Sequence, residues 1–129
     1  KISSRVAMEQ CVQTSTTFAS WVEKAKKDFV LMKEALKEAD FEKIGEITES
    51  NALAMHETTT TSSPSFTFLT EESHRAMDIV KQLRSQGYKC YFTMDAGPNV
   101  KVLYLKEDQE KLYEEISKLW NKKIILCME

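Results

Sequence analysis

The tightest constraint on this chain is YFTMDAGPNVKVLYL, Tyr91 to Leu105, where two strand-like runs are joined by only the five residues Asp95 to Asn99. Tyr88 to Met94 and Val100 to Leu105 are predicted strands, and so short a link is a hairpin-like connection between antiparallel neighbours. The flanks extend the pattern. Thr70 followed by Glu71 and Glu72 opens a helix, with acidic residues at the positive end of its dipole. Ala76, Met77, Val80 and Leu83 give that helix a buried stripe, and Gly87 suits its C-terminal end. After the hairpin, KEDQEKLYEEISKLW is a helix with Leu112, Ile116 and Leu119 on one face, and Ile124 to Met128 is a predicted third strand. From Thr70 onward the order is α-β-β-α-β, the split βαβ or ferredoxin-like pattern short of its first strand. The predicted class is α/β in the α+β sense: one antiparallel sheet, incomplete at its front, with helices on one face.

The first half reads as helical. Phe18, Val22, Ala25, Phe29, Met32 and Leu36 recur at the spacing of one buried face. Ala39 to Phe41 breaks this helix, and Asp40 can cap the next, which carries Phe41, Ile44, Ile47 and Met55 toward a core. The segment ETTTTSSPSF, with four consecutive Thr, is predicted to end that helix in a loop. At 129 residues the chain fits one domain, residues 1–129, with a modest core. A net charge of −2 gives no field for nucleic acid, and no apolar run approaches the roughly 20 residues of a membrane helix. Cys11, Cys90 and Cys127 are odd in number, lack CxxC spacing, and at 90 and 127 sit in apolar runs as expected buried thiols. A reducing, cytoplasmic location is therefore expected. The first residues have no apolar signal-peptide core, and without an initiator Met the chain reads as a piece of something longer.

Few residue patterns point to chemistry. His56 and His74 have no second ligand at metal spacing, so each is expected to be solvated or at a helix end, and no metal site is predicted. Three glycines cannot build a phosphate-cradling loop. Met32, Met55 and Met77 fall on helix faces and are read as packing. In SSRVAM, Ser3 to Met8, the hydroxyls and Arg5 either satisfy the free N–H groups of a helix start or bind an anion there. Asp95 also has two readings. One is an Asx-type turn, with the carboxylate binding nearby backbone N–H groups. The other is a general base at the end of a buried strand, in a turn stiffened by Pro98 and opened to close approach by Gly97.

FTMDAGPNVKVL, Phe92 to Leu103, resembles the Asp-Ala-Gly-Pro-Asn signature of diphosphomevalonate decarboxylases. KISSRVAM, Lys1 to Met8, resembles the segment that opens the C-terminal half of the bacterial enzymes, and Asn51 to Ser73 is similar in layout. The resemblance implies a GHMP kinase superfamily C-terminal domain with a ferredoxin-like layer. It implies the conversion of mevalonate 5-diphosphate and ATP to isopentenyl diphosphate, ADP, phosphate and carbon dioxide, with Mg²⁺. It assigns Asp95 to the substrate's tertiary hydroxyl, Ser4 and Arg5 to its anionic groups, and Met8 to the lining of that pocket. ATP and Mg²⁺ are then expected to be held mainly by an N-terminal half, the partner without which this chain would be inactive. An open sheet edge adds the expectation of a homodimer. The alternatives are another small-molecule kinase half, such as that of a phosphomevalonate kinase, and a noncatalytic ferredoxin-like module.

Overall fold

The structure, a computed structural model, describes residues 3–127. Within them the order is α1 (Ser4–Thr14), α2 (Phe18–Lys37), α3 (Phe41–Thr60), α4 (Glu71–Ser85), β1 (Cys90–Thr93), β2 (Lys101–Tyr104) and, after one 3₁₀ turn, α5 (Gln109–Leu119). Local chemistry sets several of these bounds. Asp40 caps α3 by accepting from the Lys43 N–H at 3.2 Å. Thr70 and Ser73 cap α4 reciprocally, each side chain bonding the other's backbone. Gly87 lies just past α4 at φ +99°, a conformation that L side chains rarely adopt.

β1 and β2 pair antiparallel, with Phe92 opposite Val102 and Thr93 opposite Lys101. The alternation of β1 places Cys90 and Phe92 in the core, and Met94 continues that face. There they meet Met77, Val80 and Leu83 of α4, Leu112 of α5 and Ala52 of α3. This is the expected antiparallel, helix-backed architecture.

Three expectations are corrected. Ile124 to Cys127 form no strand, and Met128 lies outside the described residues. In a split βαβ the last strand pairs with the first, and no such first strand precedes α4 among the described residues. Left without a ladder partner, Ile125 is 75% exposed. The Glu57–Phe66 segment does end α3, as expected, but only after the helix has run through its first three Thr to Thr60. The Thr58 and Thr59 hydroxyls donate to the carbonyls of Met55 and His56, both at 2.6 Å, so these side chains satisfy themselves inside the helix. The predicted stripe on α2 is not its buried face: Phe29 and Leu36 are 65% and 59% exposed. α2 packs chiefly on α3, and its buried residues are Asp28 and Ala35. Asp28 is tied there by Lys24 at 3.0 Å and by Asn51 Nδ2 at 3.1 Å, which rotates the contact line off the apolar stripe. Cys127 is likewise exposed, whereas Cys11 and Cys90 are buried free thiols.

The outer edge of β1 is closed by side chains. Arg84 and Glu49 form a two-point ion pair at 2.6 and 3.0 Å. Glu49 also accepts from the Phe92 N–H at 3.0 Å, and Arg84 donates to the Cys90 carbonyl at 2.9 Å. Those outward-facing groups are therefore not free to pair with another strand; in a split βαβ the absent first strand would lie along β2, so the expected open edge is on the other side of the sheet. Tyr91, on the opposite face of the strand, lies under the Arg84 guanidinium and against Phe41. Its ring fits there because residue 45 is glycine: a Cβ at that position would come within 2.1 Å of the ring.

Candidate functional site: the Asp95 turn

Asp95 follows Met94, the buried residue just past the end of β1, and its side chain is 77% exposed. The turn that carries it is tethered twice. Within the turn, the Gly97 N–H donates to the Asp95 carbonyl at 2.8 Å. From below, the hydroxyl of Ser73, 2% exposed in the first turn of α4, donates to the Pro98 carbonyl at 2.6 Å. The cap that starts α4 thus also fixes the far end of the turn.

Among the described residues no backbone N–H donates to the Asp95 carboxylate, so the Asx-turn reading does not hold. Its polar partner is Lys101 Nζ at 3.4 Å, from the residue paired with Thr93 across the hairpin. Both side chains are more than half exposed, and such pairs contribute about 0–1 kcal/mol. The carboxylate is therefore available to a ligand. A Cβ on Gly97 would stand 3.6 Å from Asp95 Oδ1, so glycine keeps the space beside the carboxylate open.

His56 lies toward the C-terminal end of α3, as one of its two readings had it, but it is not solvated. It is 4% exposed, edge-on to Phe68 at 6.3 Å, with no hydrogen-bond partner at either nitrogen. Burial pushes its pKa below 6.5, while the backbone of Asp95 and Met94 and the Asp95 charge pull the other way. An unmet buried polar group costs about 1–3 kcal/mol. The remaining histidine, His74, is exposed.

At the other end of the chain, Ser3 rather than Ser4 caps α1, accepting from the Val6 N–H at 3.3 Å. Ser4 and Arg5 are exposed in the first turn of α1, and Met8 is half-buried. Arg5 is 90% exposed, and among the described residues its ion pair is with Glu9, at 3.6 Å. Among the described residues neither Ser4 nor Arg5 bonds to Asp95, so the structure does not join the two ends of the expected site. Surface grooves lie on α2, one lined by Trp21, Val22, Ala25, Lys26 and Phe29, and neither adjoins Asp95. Among the described residues no three His, Cys, Asp or Glu side chains converge to hold a metal. An aspartate facing an ammonium is no magnesium site by itself. No helix there is long and apolar enough to cross a membrane.

Sequence reasoning missed Ser73. Thr70–Ser73 carries ordinary helix signals, and nothing local says that the Ser73 hydroxyl ends under a turn more than twenty residues further on.

A helix-backed antiparallel hairpin with an Asp-Ala-Gly-Pro-Asn turn at its rim defines this chain as the C-terminal α+β domain of a GHMP kinase superfamily protein. The model of the mevalonate 5-diphosphate decarboxylase C-terminal domain matches residues 1–126, and the chain belongs to that family. The solved mevalonate pyrophosphate decarboxylase of Streptococcus pyogenes is 55% identical with a TM-score of 0.88, the match covering 92% of this chain and 37% of that one. A solved complex of MDDEF with MVAPP, AMPPCP and magnesium is 45% identical with a TM-score of 0.91, covering 94% and 37%. The diphosphomevalonate decarboxylase of Saccharomyces cerevisiae is 31% identical over 132 residues, which are 95% of this chain and 33% of the relative. The chain therefore spans 33% to 37% of the length of these relatives.

Proposed function

We propose that this chain is the catalytic-base and substrate-binding domain of an ATP-dependent decarboxylase that converts mevalonate 5-diphosphate to isopentenyl diphosphate. Asp95 takes the proton of the tertiary hydroxyl as that oxygen attacks the γ-phosphorus of ATP, and ADP leaves. The new C–O–phosphate bond then breaks together with the bond to the carboxylate. The electron pair of the C–C bond becomes the alkene, releasing phosphate and carbon dioxide. An ionised aspartate is a weak base for an alcohol, so orientation matters as much as proton removal. Arg5 and Ser4, exposed at the start of α1, bind the anionic groups of the substrate, and Met8 lines the same pocket. A preceding N-terminal half holds ATP and Mg²⁺: among the described residues no set of metal donors converges, and the three glycines of the sequence build no phosphate loop.

One observation carries the proposal: a carboxylate at the end of a buried strand, on a tethered turn, with no backbone N–H bound to it. The test is Asp95→Asn in the full-length enzyme. Turnover should fall by ~10²–10⁴-fold, as on losing a general base, with the thermal midpoint nearly unchanged. Turnover above about a tenth of wild type would remove Asp95 from the chemistry.

A further inference from the structure

We propose that Ser73 is a positioning residue for Asp95: its buried hydroxyl locks the Pro98 carbonyl to the start of α4 and so sets where the carboxylate stands at the rim of the sheet. The inference deepens, and rests on, the reading of Asp95 as proton acceptor.

The hydroxyl does more than a helix cap requires. Within the cap of α4, Ser73 Oγ has only to accept, and it does so from the Thr70 N–H at 3.0 Å. Glu or Gln commonly takes this position in a capping box, and a carboxylate would accept that bond as well. A carboxylate has no proton to give. Ser73 donates its own to the Pro98 carbonyl at 2.6 Å, across a sequence separation of 25 residues. Because Ser73 has a single O–H, the Thr70 hydroxyl is the donor in their 3.1 Å contact. The proton and both lone pairs of Ser73 are therefore in use, at a position 2% exposed where water does not compete.

The bond reaches Asp95 through a short, stiff path. Pro98 has a fixed φ, and Gly97, as the residue before a proline, is steered away from the helical region. The Gly97 N–H closes back on the Asp95 carbonyl at 2.8 Å. On the other side of Asp95, Met94 is 4% exposed in the core, just past the last ladder pair, Thr93 with Lys101. The turn is gripped at both ends, by the core at Met94 and by Ser73 at Pro98. Loss of the Ser73 bond frees the Pro98 end and lets the turn swing about Met94. Lys101 Nζ, 3.4 Å from the carboxylate in an exposed pair, is too weak a partner to hold it.

The experiment uses the full-length enzyme with Ser73→Ala, Ser73→Thr and Thr70→Ala, and with Ser73→Ala combined with Asp95→Asn. It reads kcat, KM for mevalonate 5-diphosphate, and the thermal midpoint. Ser73→Ala removes the tether and one half of the cap. Thr70→Ala removes the other half, the oxygen that accepts from the Ser73 N–H at 3.2 Å, and leaves the tether in place. Ser73→Ala should lower kcat by about 10- to 100-fold, the scale of an ångström-level misplacement, with KM within about threefold of wild type. Thr70→Ala should lower the thermal midpoint comparably yet keep kcat within about twofold of wild type. Ser73→Thr returns the hydroxyl and should recover most of kcat, although its extra methyl group lowers the thermal midpoint in so buried a site. In the Asp95→Asn background, Ser73→Ala should cost less than about threefold, because a residue acting through Asp95 has nothing left to act on. Full kcat in Ser73→Ala, an equal kcat loss in Thr70→Ala or in a folded Ser73→Thr, or an undiminished loss in the Asp95→Asn background would each overturn the proposal. Should Ser73→Ala not fold, Ser73→Cys, whose thiol fills the site but donates only weakly, takes its place with the same expected pattern. Failure of the Asp95 reading is seen separately, as wild-type turnover in Asp95→Asn alone.

Discussion

The Glu49–Arg84 pair makes a quantitative prediction about how β1 survives as an edge strand. The Glu49 side chain is 12% exposed and accepts three hydrogen bonds, from Arg84 Nη1 and Nη2 and from the Phe92 N–H. Glu49→Ala removes all three hydrogen bonds at once. Phe92 is fully buried, so its N–H is orphaned at a cost of about 1–3 kcal/mol. Breaking a fully buried ion pair costs roughly 3–5 kcal/mol, but the Arg84 side chain is 30% exposed and keeps its bond to the Cys90 carbonyl. Water therefore recovers much of that penalty, leaving about 1–2 kcal/mol. The sum is about 2–5 kcal/mol, and at about 3–5 °C per kcal/mol the thermal midpoint should fall by about 6–25 °C. Glu49→Gln is the control. Its carbonyl oxygen can still accept from Phe92, so it should lose about 1 kcal/mol and only about 3–5 °C. Both variants are read by thermal melts followed by circular dichroism. A Glu49→Ala midpoint within about 4 °C of wild type would refute the reasoning, as would a Glu49→Gln loss equal to it.

Two other perturbations follow from the geometry. Gly45→Ala would put a Cβ within 2.1 Å of the Tyr91 ring, forcing the ring out from under Arg84. The domain should lose about 1–3 kcal/mol, read as a lower urea midpoint at unchanged slope, and an unaltered midpoint would show that the ring moves freely. Arg5→Ala in the full-length enzyme should raise KM for mevalonate 5-diphosphate by roughly 10- to 100-fold, the scale of a charge-assisted hydrogen bond, at nearly constant kcat. Its thermal midpoint should not move, because Arg5 is 90% exposed, and an unchanged KM would remove it from the site.

What the sequence determined by itself were features written within one or two turns of backbone. The Asp40 and Thr70 caps, the Gly87 terminus, the hairpin around Asp95 to Asn99 and the core stripe Met77, Val80 and Leu83 all follow from local spacing and residue type. Their energetics are local, so a short window holds the information. The Asp-Ala-Gly-Pro-Asn turn was legible for the same reason, as one contiguous signature. The tertiary structure decided whatever depends on a partner distant in sequence. Periodicity showed that α2 has an apolar stripe, but only the docking of Asp28 onto Asn51 chose a different line for contact and left Phe29 and Leu36 exposed. Ile124 to Cys127 have strand-like composition, yet a strand exists only with a ladder partner, and none meets them among the described residues. Ser73 carries no local mark of function. It gains one only because the start of α4 lies beneath the turn, where a 2.6 Å hydrogen bond to the Pro98 carbonyl makes an ordinary helix residue a tether for the segment that carries Asp95.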